Sequence, residues 1–187
     1  KFYRKKYNNN LSTIIVFCKK DKFKNLFVYS AINRFLLKNN IKAPRMISSN
    51  YKRNFIEIED FGDITFRNII SKNRKKLSIY KKLVNFLIKI QKIDPKTIPN
   101  SIGKKYKLSE YSIKELQKES DLFFHWYLPL IMKKNKASLM KKILKKKLRM
   151  LYKKLKFKNT KFVHRDFHVS NLMKIRDQIG LIDSQDA

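Results

Sequence analysis

The chain has 187 residues and carries 46 lysine and arginine residues against 14 aspartate and glutamate residues, a formal net charge of +32. Its 43% of hydrophobic residues, with fourteen phenylalanines and nine tyrosines, exclude a disordered composition and allow one ordinary domain or two small lobes. One cysteine excludes an internal disulfide framework and favours a reducing cytosol, and no apolar run reaches the length of a membrane span.

The positive charge is spread along the whole chain rather than gathered in one segment. A localised basic patch would indicate nucleic acid or another anionic surface as the partner. Because asparagine, isoleucine, phenylalanine and tyrosine are abundant as well, a drift of the whole composition explains the lysines better than one selected surface. We therefore expect a cytoplasmic protein with no specific nucleic-acid partner and no membrane partner.

The first third of the chain predicts a small β-rich lobe. Four strands and one helix are expected there: strands over 1–7, 12–19, 44–47 and 54–59, and a helix over about 22–39. The second strand is a nearly continuous apolar run, as in a buried strand, and Asp21 is expected to cap the helix. On this helix we expect Phe23, Phe27, Ala31 and Phe35 to share one face.

The segment E-D-F-G-D, residues 59–63, joins the last of these strands to a new helix. Gly62 is expected at positive φ, and Asp63 as the N-cap of a short helix to residue 70. Such a turn between an apolar strand and a helix predicts a hinge between two lobes. Ser78 is then expected to cap a longer helix that runs to Lys92.

Two further helices are predicted in the second half of the chain. The first, over 111–128, has apolar residues at helical spacing and contains Glu119 and Trp126. The second, over 137–157, carries one apolar stripe and is otherwise covered by lysines. We expect those lysines to form a solvated outer face, because no aromatic or arginine cluster interleaves with them.

The last 26 residues, F-V-H-R-D-F-H-V-S-N-L-M-K-I-R-D-Q-I-G-L-I-D-S-Q-D-A, hold most of the side chains that can carry chemistry. Residues 171–175 and 180–182 predict two strands joined by a polar turn. The hairpin would place Asn171 at its start and Asp183 at its end, on neighbouring strands. Asp166 precedes Asn171 by five residues.

These three polar residues suit phosphoryl transfer to a hydroxyl group. The nucleophile needs a carboxylate that orients it and accepts its proton, and magnesium bound to ATP needs hard oxygen ligands. Asp166 fits the first role, whereas Asn171 and Asp183 fit the second. Asp166 and Asn171 also fall in the pattern H-R-D-x-x-x-x-N of the kinase catalytic loop. Ser184 stands where the protein-kinase D-F-G motif has phenylalanine, so the match to protein kinases fails there.

Two alternative interpretations compete with this one. His164 and His168, four residues apart, could form a zinc-binding pair on a helix, although the strand-like residues before them argue against a helix. Asp166 and Asn171 could also belong to a polar turn whose side chains make only local backbone hydrogen bonds. For His164, a structural role inside the loop is favoured over catalysis.

Together, H-R-D-F-H-x-x-N-L-M and G-L-I-D-x-Q-D-A resemble the aminoglycoside phosphotransferase family of small-molecule kinases. Within it they look most like bacterial cell-wall amino-sugar kinases, which act on N-acetylmuramate and N-acetylglucosamine. The resemblance implies a protein-kinase-like α+β fold: a small β-rich amino lobe over 1–58, a hinge over 59–62 and a mainly helical carboxy lobe over 63–187. We expect truncation at both ends, without the nucleotide-covering loop and the carboxy-terminal helices, and interpret the chain as a fragment.

The resemblance also implies ATP and Mg²⁺ as cofactors. The backbone of Glu59, Asp60 and Phe61 would bind adenine at the hinge. In such an amino lobe the second strand normally offers a lysine to the phosphates, but here Phe17 or Cys18 occupies the position. The cation that contacts the phosphates is therefore left open.

By the same resemblance, the substrate would be held by a helix and by residues near the motifs. The candidate substrate contacts are Glu119, Trp126, His168, Gln185 and Asp186. An aromatic ring can stack on a sugar face, and a carboxylate can accept hydrogen bonds from sugar hydroxyls. For Glu119 and Trp126 the alternative is a helix whose aromatic residues only pack in a core.

The expected function is ATP-dependent phosphorylation of the anomeric hydroxyl of N-acetylmuramate or N-acetylglucosamine in cell-wall recycling. An aminoglycoside- or choline-type kinase is the alternative with the same chemistry. A catalytically decayed basic module that binds nucleic acid is the alternative of another class, and the intact Asp166, Asn171 and Asp183 argue against it. The sequence leaves the acceptor and the oligomeric state open.

Overall fold

The computed structural model describes residues 1–8, 11–19, 24–94, 98–99, 105–108, 111–155 and 161–184. The chain forms two compact units. The larger unit comprises Lys1–Leu108 and Lys161–Ala187, and the smaller unit comprises Ser109–Thr160. The larger unit contains both the predicted amino lobe and the hairpin predicted near the end of the chain, so this division does not coincide with the predicted lobes. Their boundary at 59–62 stays a prediction.

A four-stranded antiparallel sheet begins the larger unit. Its strands are β1 (Phe2–Lys6), β2 (Ser12–Phe17), β3 (Met46–Asn50) and β4 (Phe55–Glu59), in the spatial order β1-β2-β4-β3, with helix α1 (Lys24–Lys38) between β2 and β3. The predicted succession of two strands, a helix and two strands is therefore confirmed. The third strand was predicted over 44–47 and lies later, because a 3₁₀ turn (Tyr51–Arg53), capped by the Asn50 side chain, makes the reversal into β4.

One carboxylate ties the strands of this sheet together. Glu57, in β4, accepts hydrogen bonds from Thr13 Oγ1 at 2.6 Å, from the Tyr7 hydroxyl at 2.6 Å and from Ser48 Oγ at 2.9 Å. Lys5 Nζ lies 3.7 Å from the same carboxylate. The hydrogen bond from Thr13, followed by that from Tyr7, lowers the pKa of Glu57 from 4.5 to about 2. A charged Glu57 is thus built into the pairing of all four strands.

Helix α1 is buried on two sides. Leu26 and Tyr29 pack with apolar residues of β2 and β4, whereas Ile32 and Leu36 belong to the main core below. Phe27, predicted to lie on a face with Ala31 and Phe35, instead stacks on Tyr51 with ring centroids 4.1 Å apart. The middle of the helix is buried on nearly all sides because it separates two cores. The predicted cap Asp21 and Phe23 lie outside the described residues.

Residues 59–63, the segment E-D-F-G-D, form a linker at the end of β4. Two helices follow this linker: α2 (Phe66–Lys72) and α3 (Lys76–Gln91). Gly62 has φ 77°, which confirms the predicted positive φ. The predicted N-cap Asp63 is wrong, because Thr65 Oγ1 accepts from the Asn68 N–H at 3.1 Å while Asp63 pairs with Arg4. The predicted cap Ser78 is wrong as well: α3 begins two residues earlier.

The predicted hairpin near the end of the described chain is present. It consists of β7 (Leu172–Ile175) and β8 (Gln178–Leu181), and a short pair, β5 (Ile98–Pro99) and β6 (Lys105–Tyr106), precedes it in the chain. The Lys174 N–H donates to the Ile64 carbonyl at 2.8 Å on one side, and the Leu181 N–H donates to the Lys42 carbonyl at 2.8 Å on the other. These bonds fix the hairpin between the start of α2 and the segment before β3.

The smaller unit is helical. It contains α4 (Ile113–Leu122), a π-helical turn (Phe123–Tyr127), α5 (Leu128–Ile131) and α6 (Lys134–Lys154). Its core is small, with Phe124, Leu128 and Ala137 at the centre. The helix predicted over 111–128 is interrupted by this π turn, in which Tyr127 is exposed. No helix among the described residues combines the length and apolar composition needed to cross a bilayer.

Candidate active site

Asp166 lies in the loop before β7, with both carboxylate oxygens in contact with neighbours. Oδ2 accepts from Asn171 Nδ2 at 3.0 Å, and Oδ1 lies 3.2 Å from His168 Nε2. The Ser170 N–H donates to His168 Nδ1 at 3.2 Å, so His168 Nε2 carries the proton and donates to Asp166. The Asp166 side chain is 48% exposed, which leaves it both oriented and accessible.

Asn171 is buried and its amide orientation follows from its partners. Nδ2 donates to the Asp166 carbonyl at 3.1 Å as well as to its carboxylate. Since the amide nitrogen is used in this way, Oδ1 is the atom that Asn171 can offer to a cation. A polar turn with only local backbone bonds would not need the contact between the two side chains.

Asp183 follows β8 and faces the same pocket as Asn171. The Ile182 N–H donates to the Asn171 carbonyl at 3.1 Å, so the two predicted metal ligands stand at the open end of the hairpin, as its register predicted. Asp183 has φ 62°, in the left-handed region that is uncommon for residues other than glycine. One amide oxygen and one carboxylate fit Mg²⁺, which takes few protein ligands and completes its shell with phosphate and water.

The two histidines of the loop do not form a metal pair. His164 is 3% exposed and its Nε2 donates to the Ile182 carbonyl at 3.1 Å, whereas His168 bonds to Asp166. Burial lowers the pKa of His164 below its usual 6.5, so it is a neutral structural residue, as predicted. Within the described ranges, no three His, Cys, Asp or Glu side chains gather as a metal site.

A pocket of about 300 Å³ lies between the sheet, α1, the linker and the hairpin. Its apolar walls are formed by Phe2, Ile14, Ile58, Met173 and Ile182. Asn171 and Asp183 supply its polar groups from the hairpin, and Glu59, Asp60 and Phe61 border it from the linker. The structure therefore brings the predicted hinge and the predicted metal ligands to one cavity.

The carboxylates of Glu59 and Asp60 in the linker are engaged by other protein side chains. Glu59 accepts from Lys42 Nζ at 2.8 Å, and Asp60 accepts from Arg4 Nε at 2.6 Å and Ser12 Oγ at 2.7 Å. Burial would raise the pKa of Asp60, but the hydrogen bonds from Ser12 and Arg4 outweigh it and lower that pKa. Any contact of Glu59 or Asp60 with a base would therefore use the backbone.

Phe61 fixes the linker to the hairpin. A Cβ on Gly180 would overlap Ile175 Cδ1 and would lie 2.8 Å from Cδ2 and Cε2 of the Phe61 ring, so glycine leaves room for both side chains. Lys42 Nζ lies 5.3 Å from the ring centroid on the sheet side. Among the described residues, no hydrogen bond engages the backbone N–H or C=O of Phe61.

Of the remaining predicted substrate contacts, two lie in the smaller unit and two lie outside the described residues. Glu119 and Trp126 lie in the smaller unit, where Glu119 Oε2 accepts from the Tyr111 hydroxyl at 2.5 Å and Trp126 is 73% exposed. The alternative in which Trp126 packs in a core is therefore wrong. Gln185 and Asp186 lie outside the described residues.

Three residues of the site escaped the sequence prediction. Tyr29 of α1 lines the pocket, and burial, with the nearby Asp183 carboxylate, raises its pKa to about 12. Arg4 of β1 borders the pocket and is held by Asp60 and Asp63, so it braces the linker. Asn33, one helical turn after Tyr29, is buried and bonds to Ser184. A Tyr and an Asn four residues apart on the buried side of one helix are the local signal for Tyr29 and Asn33, but this signal does not extend to Arg4.

Comparison with known proteins supports this fold. No protein-family model matches the sequence. The chain is 22% identical over 150 residues to an N-acetylmuramate/N-acetylglucosamine kinase of Neisseria meningitidis serogroup B (strain ATCC BAA-335 / MC58), over 79% of this chain and 42% of the relative. The whole chain aligns with aminoglycoside phosphotransferase APH(4)-Ia, with a TM-score of 0.58, 10% identity and 66% of that chain covered.

A second structural neighbour is APH(2")-IIa. Its gentamicin complex aligns with a TM-score of 0.52 and 14% identity over 65% of that chain, and its complex with streptomycin and ATP gives 0.51, 12% and 66%. The predicted resemblance and the protein-kinase-like α+β fold are thereby confirmed. The chain spans 42% of the length of its curated relative and about two thirds of the solved structures.

Proposed function

We propose that this chain carries the nucleotide- and metal-binding part of an ATP-dependent phosphotransferase that acts on a hydroxyl group of a small molecule. The observation that carries the proposal is the hydrogen bond between Asp166 and Asn171, because Asn171 shares a pocket with Asp183 and the linker. The curated relative is named as a kinase, and one neighbour was solved with streptomycin and ATP, which supports the same chemistry here.

The pocket offers a place for the adenine base. Its apolar walls, including Ile58, Met173 and Ile182, suit a flat ring, and the backbone of Phe61 carries a donor and an acceptor without protein partners among the described residues. Glu59 and Asp60 hold the linker in place through their side chains. A preformed linker of this kind binds a base without having to be ordered first.

The hairpin offers a place for the metal. Asn171 Oδ1 and the Asp183 carboxylate are hard oxygen donors on adjacent strand ends, and these two residues would hold Mg²⁺ together with ATP. Bound there, Mg²⁺ would neutralise negative charge on the phosphates during transfer. Asn171 also bonds to Asp166. One side chain would therefore serve as a metal ligand and orient the catalytic carboxylate.

Asp166 would act on the acceptor. Its carboxylate is held by Asn171 and by the protonated Nε2 of His168, yet half of the side chain is exposed to an incoming hydroxyl. It would orient that hydroxyl and accept its proton as the new bond to the γ-phosphate forms. We therefore propose that His168 positions the Asp166 carboxylate. This role takes the place of the substrate contact that the sequence predicted for His168.

We further propose an amino sugar as the acceptor, phosphorylated at its anomeric hydroxyl. The name of the curated relative supports this choice, and an aminoglycoside is the second candidate because both structural neighbours are aminoglycoside phosphotransferases. Glu119, Trp126, Gln185 and Asp186 stay proposed substrate contacts. Cell-wall recycling would be the place of such a reaction.

A substrate panel tests the proposal. The protein is incubated with ATP, Mg²⁺ and, in turn, N-acetylmuramate, N-acetylglucosamine, kanamycin or choline, and the phosphorus NMR spectrum of each mixture is recorded. We expect a sugar 1-phosphate. Phosphorylation of kanamycin or choline alone would refute the sugar assignment and keep the kinase. Failure to bind ATP with Mg²⁺ in a calorimetric titration would refute the phosphotransferase itself.

A further inference from the structure

A buried hydrogen bond joins α1 to the residue directly after Asp183. Ser184 is 0% exposed, and its Oγ donates to Asn33 Oδ1 at 2.5 Å. Asn33 is also buried, and its Nδ2 donates to the Pro44 carbonyl at 3.1 Å. Because the amide nitrogen is already used by Pro44, the amide oxygen is the end that faces Ser184. Both residues are therefore fixed in orientation as well as in place.

Asp183 sits between two anchored residues. On one side, the Ile182 N–H donates to the Asn171 carbonyl at 3.1 Å, and the Ile182 carbonyl accepts from His164 Nε2 at 3.1 Å. On the other side stands the bond between Ser184 and Asn33. The left-handed backbone of Asp183, with φ 62°, is unfavourable for a residue with a side chain and persists only when its surroundings hold it.

In protein kinases a different contact joins the helix of the amino lobe to the nucleotide site. There, a lysine of the sheet and a glutamate of the helix form an ion pair at the nucleotide site. Here Phe17 and Cys18 occupy the expected lysine position, and the residues of α1, K-N-L-F-V-Y-S-A-I-N-R-F-L-L-K, include no acid. One described link from α1 to the segment of Asp183 is the uncharged contact of Asn33 with Ser184.

We propose that Asn33 and Ser184 are positioning residues for Asp183, through which α1 sets the direction of the metal-binding carboxylate. This inference rests on the proposed function. Breaking the bond leaves Asp183 in the pocket but frees its backbone to turn, so metal binding weakens before the fold is lost. Loss of an orienting contact behind a metal ligand typically lowers metal affinity about 10- to 100-fold.

The test compares two buried hydroxyls. Ser184→Ala removes the proposed contact, and Ser30→Ala is the matched control, because Ser30 is also buried in α1 but donates to the Phe27 carbonyl within its own helix. Mn²⁺ is titrated into each protein with ATP present, and free Mn²⁺ is followed by electron paramagnetic resonance. We expect Ser184→Ala to weaken Mn²⁺ binding at least about tenfold, with Ser30→Ala unchanged.

A mutant cycle separates positioning from folding. Asn33→Ala and the double variant should each lose about as much Mn²⁺ affinity as Ser184→Ala, because the two side chains act as one unit. Turnover of Ser184→Ala should recover as Mg²⁺ is raised, which a misfolded protein would not show. Equal Mn²⁺ affinity of Ser184→Ala and Ser30→Ala would overturn the inference. A wild-type protein that binds no Mn²⁺ with ATP would instead overturn the proposed function, and this inference with it.

Discussion

Asn171 Nδ2 lies 3.0 Å from Asp166 Oδ2, so the proposed base and a proposed metal ligand form one hydrogen-bonded pair. A substitution at either residue therefore acts on both. The role of the Asp166 charge must therefore be tested with a variant that keeps a polar side chain of the same shape. The predictions below follow from this pair and from the contacts around it.

Asp166→Asn should lower turnover by roughly a hundredfold or more, because the side chain loses the charge that accepts the proton of the acceptor hydroxyl. An asparagine also offers one oxygen where the carboxylate serves both Asn171 and His168. The affinity for ATP should change little. Steady-state kinetics and an ATP titration measure the two effects, and an unchanged turnover number would remove Asp166 from the reaction.

Asp183→Ala should abolish turnover with Mg²⁺ and ATP while the fold remains intact, since a hard anionic ligand is lost from the pocket. Asp177→Ala provides the control: Asp177 belongs to the same hairpin but lies in the turn at its opposite end. Its turnover should match that of the wild type. Circular dichroism checks the fold of both variants, and full activity of Asp183→Ala would contradict the assignment.

Gly180→Ala should destabilise the protein by about 1–3 kcal/mol, because the new methyl group overlaps both Ile175 Cδ1 and the Phe61 ring. As Phe61 moves, the linker moves with it, so the KM for ATP should rise. Replacing Phe61 with leucine in the same chain makes room and should restore part of both losses. Thermal unfolding and KM for ATP are measured on the two single variants and the double variant. Strictly additive effects of the two substitutions would argue against the contact between Gly180 and Phe61.

Glu57→Gln should lower the free energy of unfolding by about 2 kcal/mol at pH 7, since the hydrogen bonds from Thr13 and Tyr7 then reach a neutral acceptor. The folded pKa of Glu57, about 2, lies below its ordinary 4.5, so its contribution is complete above pH 4.5 and fades as the pH falls toward 2. Urea unfolding at several pH values measures it. A difference between the variant and the wild type that stays constant from pH 7 to pH 3 would contradict this role.

The charge of +32 should produce only non-specific nucleic-acid binding that weakens steeply as salt is raised, because released counterions dominate such binding. Filter binding with several unrelated RNA sequences at rising salt tests the expectation. All sequences should bind alike and dissociate together. A complex that prefers one sequence and survives high salt would revive the interpretation as a basic binding module.

The site was predictable from sequence where its geometry is local. Asp166 and Asn171 lie five residues apart in one loop, and the hairpin register alone places Asn171 opposite Ile182, next to Asp183. Gly62 also had to reverse the chain after a strand, whatever the rest of the fold. In each case the constraint acts within about a dozen residues, which is the range that a sequence pattern describes well.

Contacts between distant segments were not predictable. Asp63 and Thr65 are both good N-caps, and Thr65 caps α2 because Arg4, 59 residues away, takes the Asp63 carboxylate. The bond of Asn33 crosses 151 residues to Ser184, so its place in a helix could not predict that partner. The π-helical turn Phe123–Tyr127 likewise interrupts the regular helix that the spacing predicted over 111–128.

The bond between Ser184 and Asn33 spans 151 residues, with the whole smaller unit between its ends. The apolar residues Ile32 and Leu36 of α1 share their core with Leu172 and Leu181 of the hairpin, which leave the ribosome much later. During synthesis the apolar surface of α1 therefore stays exposed until the hairpin has been made, and exposed apolar surface favours aggregation. Contacts between residues so far apart in the sequence also slow folding. We expect a folding chain to acquire its sheet first and its capacity to bind nucleotide last.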